Sequence, residues 1–220
     1  MLSGAAVLPM RLLRPVRERL LAAPQLGEVR HRLLEPITGH VLEAGIGRGH
    51  NLTYYPDTIT SLTGVDRSGD DLLHARERSR LARFPVDLRP LGGDAVLPMK
   101  NATFDCVVCT FALAFMSDED AAVMLAEMVR VLRPGGRFFF AEPVLSDDKP
   151  VAQRQLRWSA AVRALFGGLD VTRDVSLIAG VPELNVIRLE RTSVERLPGM
   201  IGHLAEGVAV KKEAGAGAPA

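Results

Sequence analysis

Short apolar runs alternate along the chain with stretches whose apolar residues recur at helical spacing. The runs cover residues 41–44, 61–65, 86–91, 104–110 and 137–141. Their length and their β-branched and aromatic residues are typical of buried strands, and the stretches after residues 68 and 117 have the period of amphipathic helices. Strands that alternate with helices in this way predict a parallel sheet with helices on both faces.

Two serines indicate where helices begin. Ser68 is followed by Asp70 and Asp71, and Ser117 by three acidic residues. A serine oxygen can accept a hydrogen bond from the first helical turn, and acidic residues there favour the positive end of the helix dipole. The runs at 185–191 and 207–211 are not separated by a helical pattern, so we expect them to form a hairpin at one edge of the sheet.

A basic amphipathic helix is predicted near the start of the chain. Apolar residues recur at positions 12, 13, 16, 20 and 21, and arginines stand at 11, 14, 17 and 19. Such a helix either packs as a cap on the domain or makes peripheral contact with a membrane surface. The apolar residues before Arg11 are too few for a transmembrane segment and lack the charged start of a signal peptide, so we expect a cytoplasmic protein.

Composition excludes several classes of protein. A chain of 220 residues suits one domain, and 27 basic against 26 acidic residues leave a net charge of +1, which disfavours bulk nucleic-acid binding. The two cysteines, Cys106 and Cys109, rule out a disulfide framework. Their C-x-x-C pattern lies inside an apolar strand, so we interpret them as core thiols and expect no metal site.

The segment after the first apolar run is a candidate binding turn. Gly45, Gly47 and Gly49 follow that strand, and His50 stands where the third glycine of a G-x-G-x-x-G motif would be, so the spacing is not that of a dinucleotide-binding turn. The acidic Glu43 at the entrance repels a pyrophosphate and suits a cationic or ammonium-bearing ligand. A strand that ends in such a turn is expected to lead into a helix.

Two aspartates end the next apolar runs. Asp66 ends the second run, where a carboxylate can accept both hydroxyl groups of a ribose, and Asp94 follows the third, where it can accept from the exocyclic amine of adenine. Each aspartate alone is also a plain helix cap. The carboxyl ends of parallel strands meet at one edge of the sheet, where ligands bind in this class of fold, so the three features together predict a nucleoside site.

Five segments in this order resemble the class I S-adenosylmethionine-dependent methyltransferases, and within them the small-molecule group called methyltransferase type 11. The resemblance covers residues 36–145 and rests on residues 43–49, Gly64-Val65-Asp66, Gly93-Asp94-Ala95, residues 104–108 and residues 131–136. It implies a Rossmann-like three-layer sandwich whose seven-stranded, mostly parallel sheet has the order 3-2-1-4-5-7-6, with an antiparallel last strand. More weakly, the rest of the chain is similar to thiol and lipid-type members.

The resemblance implies S-adenosyl-L-methionine as the cofactor and assigns its contacts. The methionine part would lie at the glycine turn and just past the fourth strand, the ribose at the second strand, and adenine beside it and after the third. The implied cofactor-binding residues are, in chain order, Glu43, Ala44, Gly45, Gly47, Asp66, Arg67, Asp94, Ala95, Thr110 and Phe111.

The sequence departs from the family pattern at two positions. Arg48 stands where the family has threonine or a small residue, and Pro143 follows Glu142 where related proteins often have histidine. Proline can neither donate nor accept a proton, so a mechanism that uses that histidine does not transfer. Among the histidines, His50 is nearest to the expected site, and we assign no catalytic residue.

The expected organisation is a helical N-terminal lid at 1–36, a methyltransferase domain at 37–211 with a cap insertion at about 146–180, and a flexible tail at 212–220. We expect residues 15–36 and 151–175 to roof the acceptor pocket, with Phe115, Trp158, Leu165 and Phe166 as lining candidates. Plain core packing is the alternative for these four residues.

We therefore expect a monomeric or homodimeric enzyme that methylates a small molecule. A thiol, a phenol or quinone, an amine and a lipid headgroup remain open as acceptors. The alternatives are a nucleotide-binding oxidoreductase of the Rossmann type, which the glycine spacing and Glu43 disfavour, and a non-catalytic regulatory protein that binds the same cofactor.

Overall fold

A single sheet of seven strands organises the part of the chain that the computed structural model describes, residues 10–174 and 176–213. The strand order is β3-β2-β1-β4-β5-β7-β6. Only β7 runs against its neighbours, so the expected topology is confirmed. The strands are β1 (Gly39–Ala44), β2 (Ile59–Asp66), β3 (Val86–Pro90), β4 (Phe104–Thr110), β5 (Leu132–Pro143), β6 (Leu184–Ser193) and β7 (His203–Lys211).

Six α-helices surround the sheet within the described ranges. They are α1 (Met10–Leu21), α2 (Gln25–Leu34), α3 (Gly69–Ser79), α4 (Asp118–Val131), α5 (Lys149–Leu165) and α6 (Ser176–Ala179). Ser68 accepts a hydrogen bond from the backbone of Asp71, and Ser117 from that of Asp120, as the sequence predicts. Residues 1–9 of the expected lid and 214–220 of the expected tail lie outside the described residues.

The two faces of the sheet pack into different cores. Phe138, Phe140 and Cys109 belong to the cluster that includes the buried side of α4. Phe139 and Cys106 belong to the cluster on the opposite face, which includes the buried side of α2. Because successive strand residues point to opposite faces, the two cysteines are separated by the sheet, and both are buried and free. The prediction of core thiols is confirmed.

The helix expected directly after the glycine turn is absent, and that prediction is wrong. Residues 46–54 form a series of tight turns, with backbone hydrogen bonds from Gly49 to Ile46, Leu52 to Gly49 and Tyr54 to Asn51. Gly47 and Gly49 have φ angles of 53° and 75°, which a right-handed helix excludes. The turns direct Asn51 towards the strand end, where it hydrogen-bonds to Glu43.

Several segments meet at the carboxyl ends of the first four parallel strands. The turns after β1, the start of α3, the segment after β4, and α1 and α2 all approach this edge. None of the helices in the described ranges is long and apolar enough to cross a membrane.

Candidate functional site

A cavity of about 230 Å³ opens at this edge of the sheet. It contains seven of the ten residues that the sequence assigned to a cofactor, and it brings them together with α1 and α2. Its lining consists of Arg17, Glu18, Leu21, Arg30, Glu43, Gly45, Ile46, Gly47, Arg48, His50, Asn51, Asp66, Arg67, Ser68, Asp71, Leu91, Thr110, Phe111, Ala112, Phe115 and Met116.

The glycine turn forms the floor of the cavity. The backbone N–H groups of Gly45 and Ile46 both donate to the carbonyl of Val65, at 2.9 and 3.0 Å. Gly45 has a φ of 72°, and a Cβ atom built on it would fall well inside the van der Waals radius of the Ala112 side chain. Only glycine therefore fits at position 45, and the backbone is left open to a ligand.

Asp66 holds the turn from the end of β2. One carboxylate oxygen accepts the N–H of Gly47 at 2.8 Å, and the other accepts the N–H of Ser68 at 2.8 Å. Burial raises the pKa of Asp66 above its usual value, and the two backbone donors oppose that rise. Each carboxylate oxygen has a second lone pair, so the group can also accept from a pair of ligand hydroxyls.

Glu43 is a buried carboxylate at the end of β1. Its two oxygens accept from Asn51 and from the Tyr55 hydroxyl, both at 2.9 Å. Burial raises the pKa of Glu43 to about 7, and these hydrogen bonds together with the nearby Arg30 limit the rise. Near neutral pH the group can take up or release a proton, and a cation that enters the cavity would favour the carboxylate.

Arg30 is the main site residue that the sequence prediction missed. Its Nε atom donates to the Asn51 side chain at 3.0 Å, and one terminal nitrogen donates to the carbonyl of Leu21 at 2.7 Å. It lies on the buried side of α2, at helical spacing from Leu26 and Leu33. An arginine at a core position of an apolar helix face was the available signal, because buried arginines are rare unless they are paired.

Side-chain contacts hold the helix α1 against the cavity. Arg17 contacts Asp71 at 2.9 Å, and Glu18 contacts His50 at 3.2 Å and Arg48 at 3.6 Å. Burial opposes the ionisation of Glu18, but the hydrogen bonds from His50 and Arg17 outweigh it and lower its pKa to about 2. The unusual Arg48 of the glycine turn therefore helps to hold α1 in place.

The segment after β4 forms one wall of the cavity. Thr110 accepts a hydrogen bond from Asn51 at 2.9 Å, and Phe111 has a φ of 55°, a strained value for a bulky residue. Behind this wall, Glu142 accepts the backbone N–H groups of Ala112 and Ala114 at 2.9 and 3.0 Å. Leu113 donates to it as well, at 3.2 Å.

The buried Glu142 therefore acts as a buttress for the cavity wall. Burial raises its pKa to about 7, and the backbone donors and the thiol of Cys109 oppose that rise. The next residue, Pro143, pairs with Leu204 of β7 and is not among the cavity-lining residues.

Three of the expected cofactor residues do not line the cavity. Ala44 is buried in the core, and Ala95 is buried as well, with a φ of 58°. Asp94 is exposed, and its carboxylate accepts the N–H of Val96 at 3.3 Å. Arg67 does line the cavity and donates to the carbonyl of Gly93. The assignments of Ala44, Asp94 and Ala95 stay predictions.

Of the four residues expected to line an acceptor pocket, only Phe115 lies in the cavity wall. Trp158 and Leu165 are each 50% exposed on α5. Phe166 packs with the cluster beneath that helix. These three residues do not line this cavity, and the buried side of α5 carries Gln155 and Val162 instead. Their assignment to an acceptor pocket stays a prediction.

The cavity combines the chemical features of an amino-acid and nucleoside site. Glu43 and Arg30 put a proton-accepting and a cationic group near one end, and Asp66 presents a carboxylate at the glycine turn. Apolar side chains cover other parts of the wall, including Ile46, Leu91 and Phe111. Two buried acidic groups disfavour a pyrophosphate. Among the described residues, no group of three or more His, Cys, Asp or Glu side chains is arranged to hold a metal ion.

Comparison with known proteins agrees with this architecture. Residues 42–140 match the family described as "Methyltransferase domain". A probable S-adenosylmethionine-dependent methyltransferase of Mycolicibacterium smegmatis is 36% identical over 104 residues, which are 47% of this chain and 37% of that protein. A human thiol S-methyltransferase is 28% identical over 143 residues, which are 61% of this chain and 55% of that protein.

The chain thus spans about half the length, or less, of the curated relatives it matches. Among solved structures, an N-methyltransferase of Bradyrhizobium japonicum in complex with S-adenosyl-L-homocysteine aligns with a TM-score of 0.67. It shares 16% sequence identity, and the alignment covers 91% of this chain and 99% of the other. At that identity the likeness shows the fold.

Proposed function

We propose that this chain, whose residues 42–140 match the family described as "Methyltransferase domain", transfers a methyl group from S-adenosyl-L-methionine to a small-molecule acceptor. The observation that carries the proposal is the meeting of Glu43, Arg30 and Asp66 around the glycine turn in one cavity. Each of these three residues can pair with a different part of the cofactor.

The residues of the cavity fit the cofactor in the following way. Glu43 would accept from the α-ammonium group and Arg30 would pair with the α-carboxylate, because a zwitterion needs both charges opposite its own. Asp66 would accept from the ribose hydroxyls, and Leu91 offers an apolar surface to adenine. The absence of a side chain at Gly45 leaves room for the methionine part.

When bound, the cofactor supplies a methyl group on a positively charged sulfur, which leaves with the electron pair of the broken carbon–sulfur bond. The acceptor supplies the lone pair that forms the new bond and loses any proton it carried. The contribution of this chain is to hold both partners in line and to exclude water. The contacts between α1 and residues 48–71 would serve the second task by holding α1 against the cavity.

One part of the cavity wall is apolar and favours a methyl acceptor that has an apolar part. Leu21, Phe115 and Met116 face the cavity there, and the guanidinium of Arg17 lies 5.5 Å from the centroid of the Phe115 ring. Thiols, phenols or quinones, amines and lipid headgroups with apolar bodies are all compatible with this wall. Residues 10–36 would form the lid in this proposal.

Titration calorimetry with S-adenosyl-L-homocysteine, followed by an acceptor screen with detection by product mass, tests the proposal. We expect binding in the micromolar range and a mass gain of one methyl group on at least one acceptor. Folded protein that does not bind the ligand at millimolar concentration would contradict it. Binding of NADH instead would favour the oxidoreductase alternative, and tight binding without transfer to any acceptor would favour a regulatory protein.

The protonation of Glu43 makes cofactor affinity depend on pH. With a pKa raised to about 7 by burial, the carboxyl is largely protonated at pH 6 and largely ionised at pH 7.5. The ligand ammonium prefers the ionised form, so we expect affinity for S-adenosyl-L-homocysteine to rise about five- to tenfold between these values. The Glu43→Gln variant should bind more weakly at pH 7.5 and lose this rise.

Glu18→Gln is the matched control for this experiment. Glu18 also lines the cavity, but its pKa of about 2 keeps it ionised over the whole range. This variant should therefore keep the slope of the wild type, whatever its overall affinity. An unchanged slope in Glu43→Gln would show that another group titrates.

A further inference from the structure

One side of α5 carries two large apolar side chains that are only half covered by the other described residues. Trp158 and Leu165 are seven residues apart, and therefore on the same side of the helix, and each is 50% exposed. Fully buried Gln155 fixes the rotation of the helix, because its amide donates to the carbonyls of Val144 and Val171, both at 3.1 Å. The packing of Gln155 therefore determines which side of α5 is exposed to solvent.

The same helix is strongly basic. It contains one lysine and three arginines, Lys149, Arg154, Arg157 and Arg163, and no acidic residue. Arg163 pairs with Asp170 at 2.6 Å, whereas Arg157 lies over the ring of Trp158, 5.9 Å from its centroid. This side of the helix therefore interleaves cations with a tryptophan and a leucine.

We propose that this surface, called the α5 face and defined by Arg154, Arg157, Trp158 and Leu165, docks on an anionic lipid bilayer. Arginines can pair with lipid phosphates, while tryptophan and leucine enter the boundary between headgroups and acyl chains. Tryptophan suits that boundary because its ring is apolar and its N–H is polar. The lack of acidic residues on α5 gives the charge complementarity.

The α5 face lies behind the apolar wall of the cavity. Val162, on the buried side of α5, packs in one cluster with Leu20 of α1, and Phe115 of the cavity wall packs against that cluster. A protein docked through this face would hold its cavity close to the bilayer. The docking itself does not depend on the proposed methyl transfer, so its test is independent of that proposal.

The chain contains one tryptophan, Trp158, which reports directly on this surface. With vesicles of 30% phosphatidylglycerol in phosphatidylcholine, we expect its fluorescence to shift to shorter wavelength and the protein to sediment with the lipid. Vesicles of pure phosphatidylcholine should bind far less, and 0.5 M salt should weaken binding to the anionic ones. No shift at saturating anionic lipid would overturn the proposal.

Matched variants locate the contact. Arg154→Gln with Arg157→Gln should weaken binding about 25-fold, roughly fivefold for each arginine. Leu165→Gln should weaken it roughly tenfold. Leu81→Gln is the control, because Leu81 is 80% exposed and lies outside α5, and it should bind as the wild type does. Equal binding by all variants would overturn the assignment to this face.

Light scattering without lipid tests whether a second copy of the chain, and not a bilayer, covers the α5 face. A monomer whose mass is unchanged by Leu165→Gln supports a lipid partner. A dimer that this substitution converts to a monomer would overturn the proposal, because the α5 face would then be an interface between two copies of the chain.

Discussion

Replacing Gly45 by alanine is expected to lower the affinity for S-adenosyl-L-homocysteine at least 100-fold, so that binding can no longer be measured. The new Cβ would overlap the side chain of Ala112, and the φ of 72° is unfavourable for alanine. The backbone strain costs roughly 1–2 kcal/mol, and relieving the overlap moves the wall after β4 or the glycine turn. Either movement separates the turn from the residues opposite it.

Calorimetry and urea unfolding measure the two consequences of Gly45→Ala separately. We expect the variant to stay folded, with a loss of roughly 2–4 kcal/mol in the free energy of unfolding. Gly69→Ala is the control, because a Cβ there meets no atom within 4 Å and alanine is favoured inside a helix. Affinity within threefold of the wild type in folded Gly45→Ala would disprove the role of the turn.

Replacing Glu142 by alanine is expected to destabilise the protein by about 3–5 kcal/mol. The carboxylate accepts three backbone N–H groups, those of Ala112, Leu113 and Ala114, in a buried place. Each buried donor left without a partner costs roughly 1–3 kcal/mol. Cofactor affinity should fall as well, because Ala112 lines the cavity and its segment loses its buttress.

Two further variants keep this prediction testable by urea unfolding. Glu190→Ala, at an exposed strand position, should change the free energy of unfolding by less than about 0.5 kcal/mol. Glu142→Gln keeps one accepting oxygen and should lie between the wild type and Glu142→Ala. A loss in Glu142→Ala as small as in Glu190→Ala would refute the buttress.

The pKa values of Glu43 and Glu142 also set a direction for stability against pH. Burial raises both to about 7 in the folded protein, above the value of about 4.5 expected in the unfolded chain. A raised carboxyl pKa stabilises the fold fully below the unfolded value, and this contribution is lost as pH rises to about 7. The two groups therefore make the free energy of unfolding decrease between pH 4.5 and 7.

The parallel strands and the glycine turn could be predicted because their signals are local, whereas the strand order was implied by the resemblance to the methyltransferase family. A buried strand must be apolar along its length, and two parallel strands are joined by a crossover of a dozen residues or more. Gly45 and Gly47 likewise reflect a backbone requirement that the sequence carries at those positions. The prediction of a helix directly after the turn was wrong. Asn51 and Tyr55 lie in non-helical backbone and hydrogen-bond to Glu43 instead.

Contacts between residues far apart in the chain could not be predicted in this way. Arg30 reaches Asn51 across 21 positions, and Glu142 reaches Ala112 across 30. Nothing in the local pattern of α2 or β5 specifies which element will lie opposite. Trp158 is a similar case, since an aromatic residue in an amphipathic helix can face the core or the solvent until the packing of Gln155 decides.

The sequence by itself determined the α/β fold class and the position of the glycine turn, because hydrophobic period and glycine conformation act within a few residues. Only the tertiary structure decided that α1 lies against the cavity through Arg17 and Glu18, that Arg30 stands near Glu43, and that α5 leaves its tryptophan half exposed. These outcomes depend on desolvation and charge pairing between distant segments, whose energies exist only once the chain is packed.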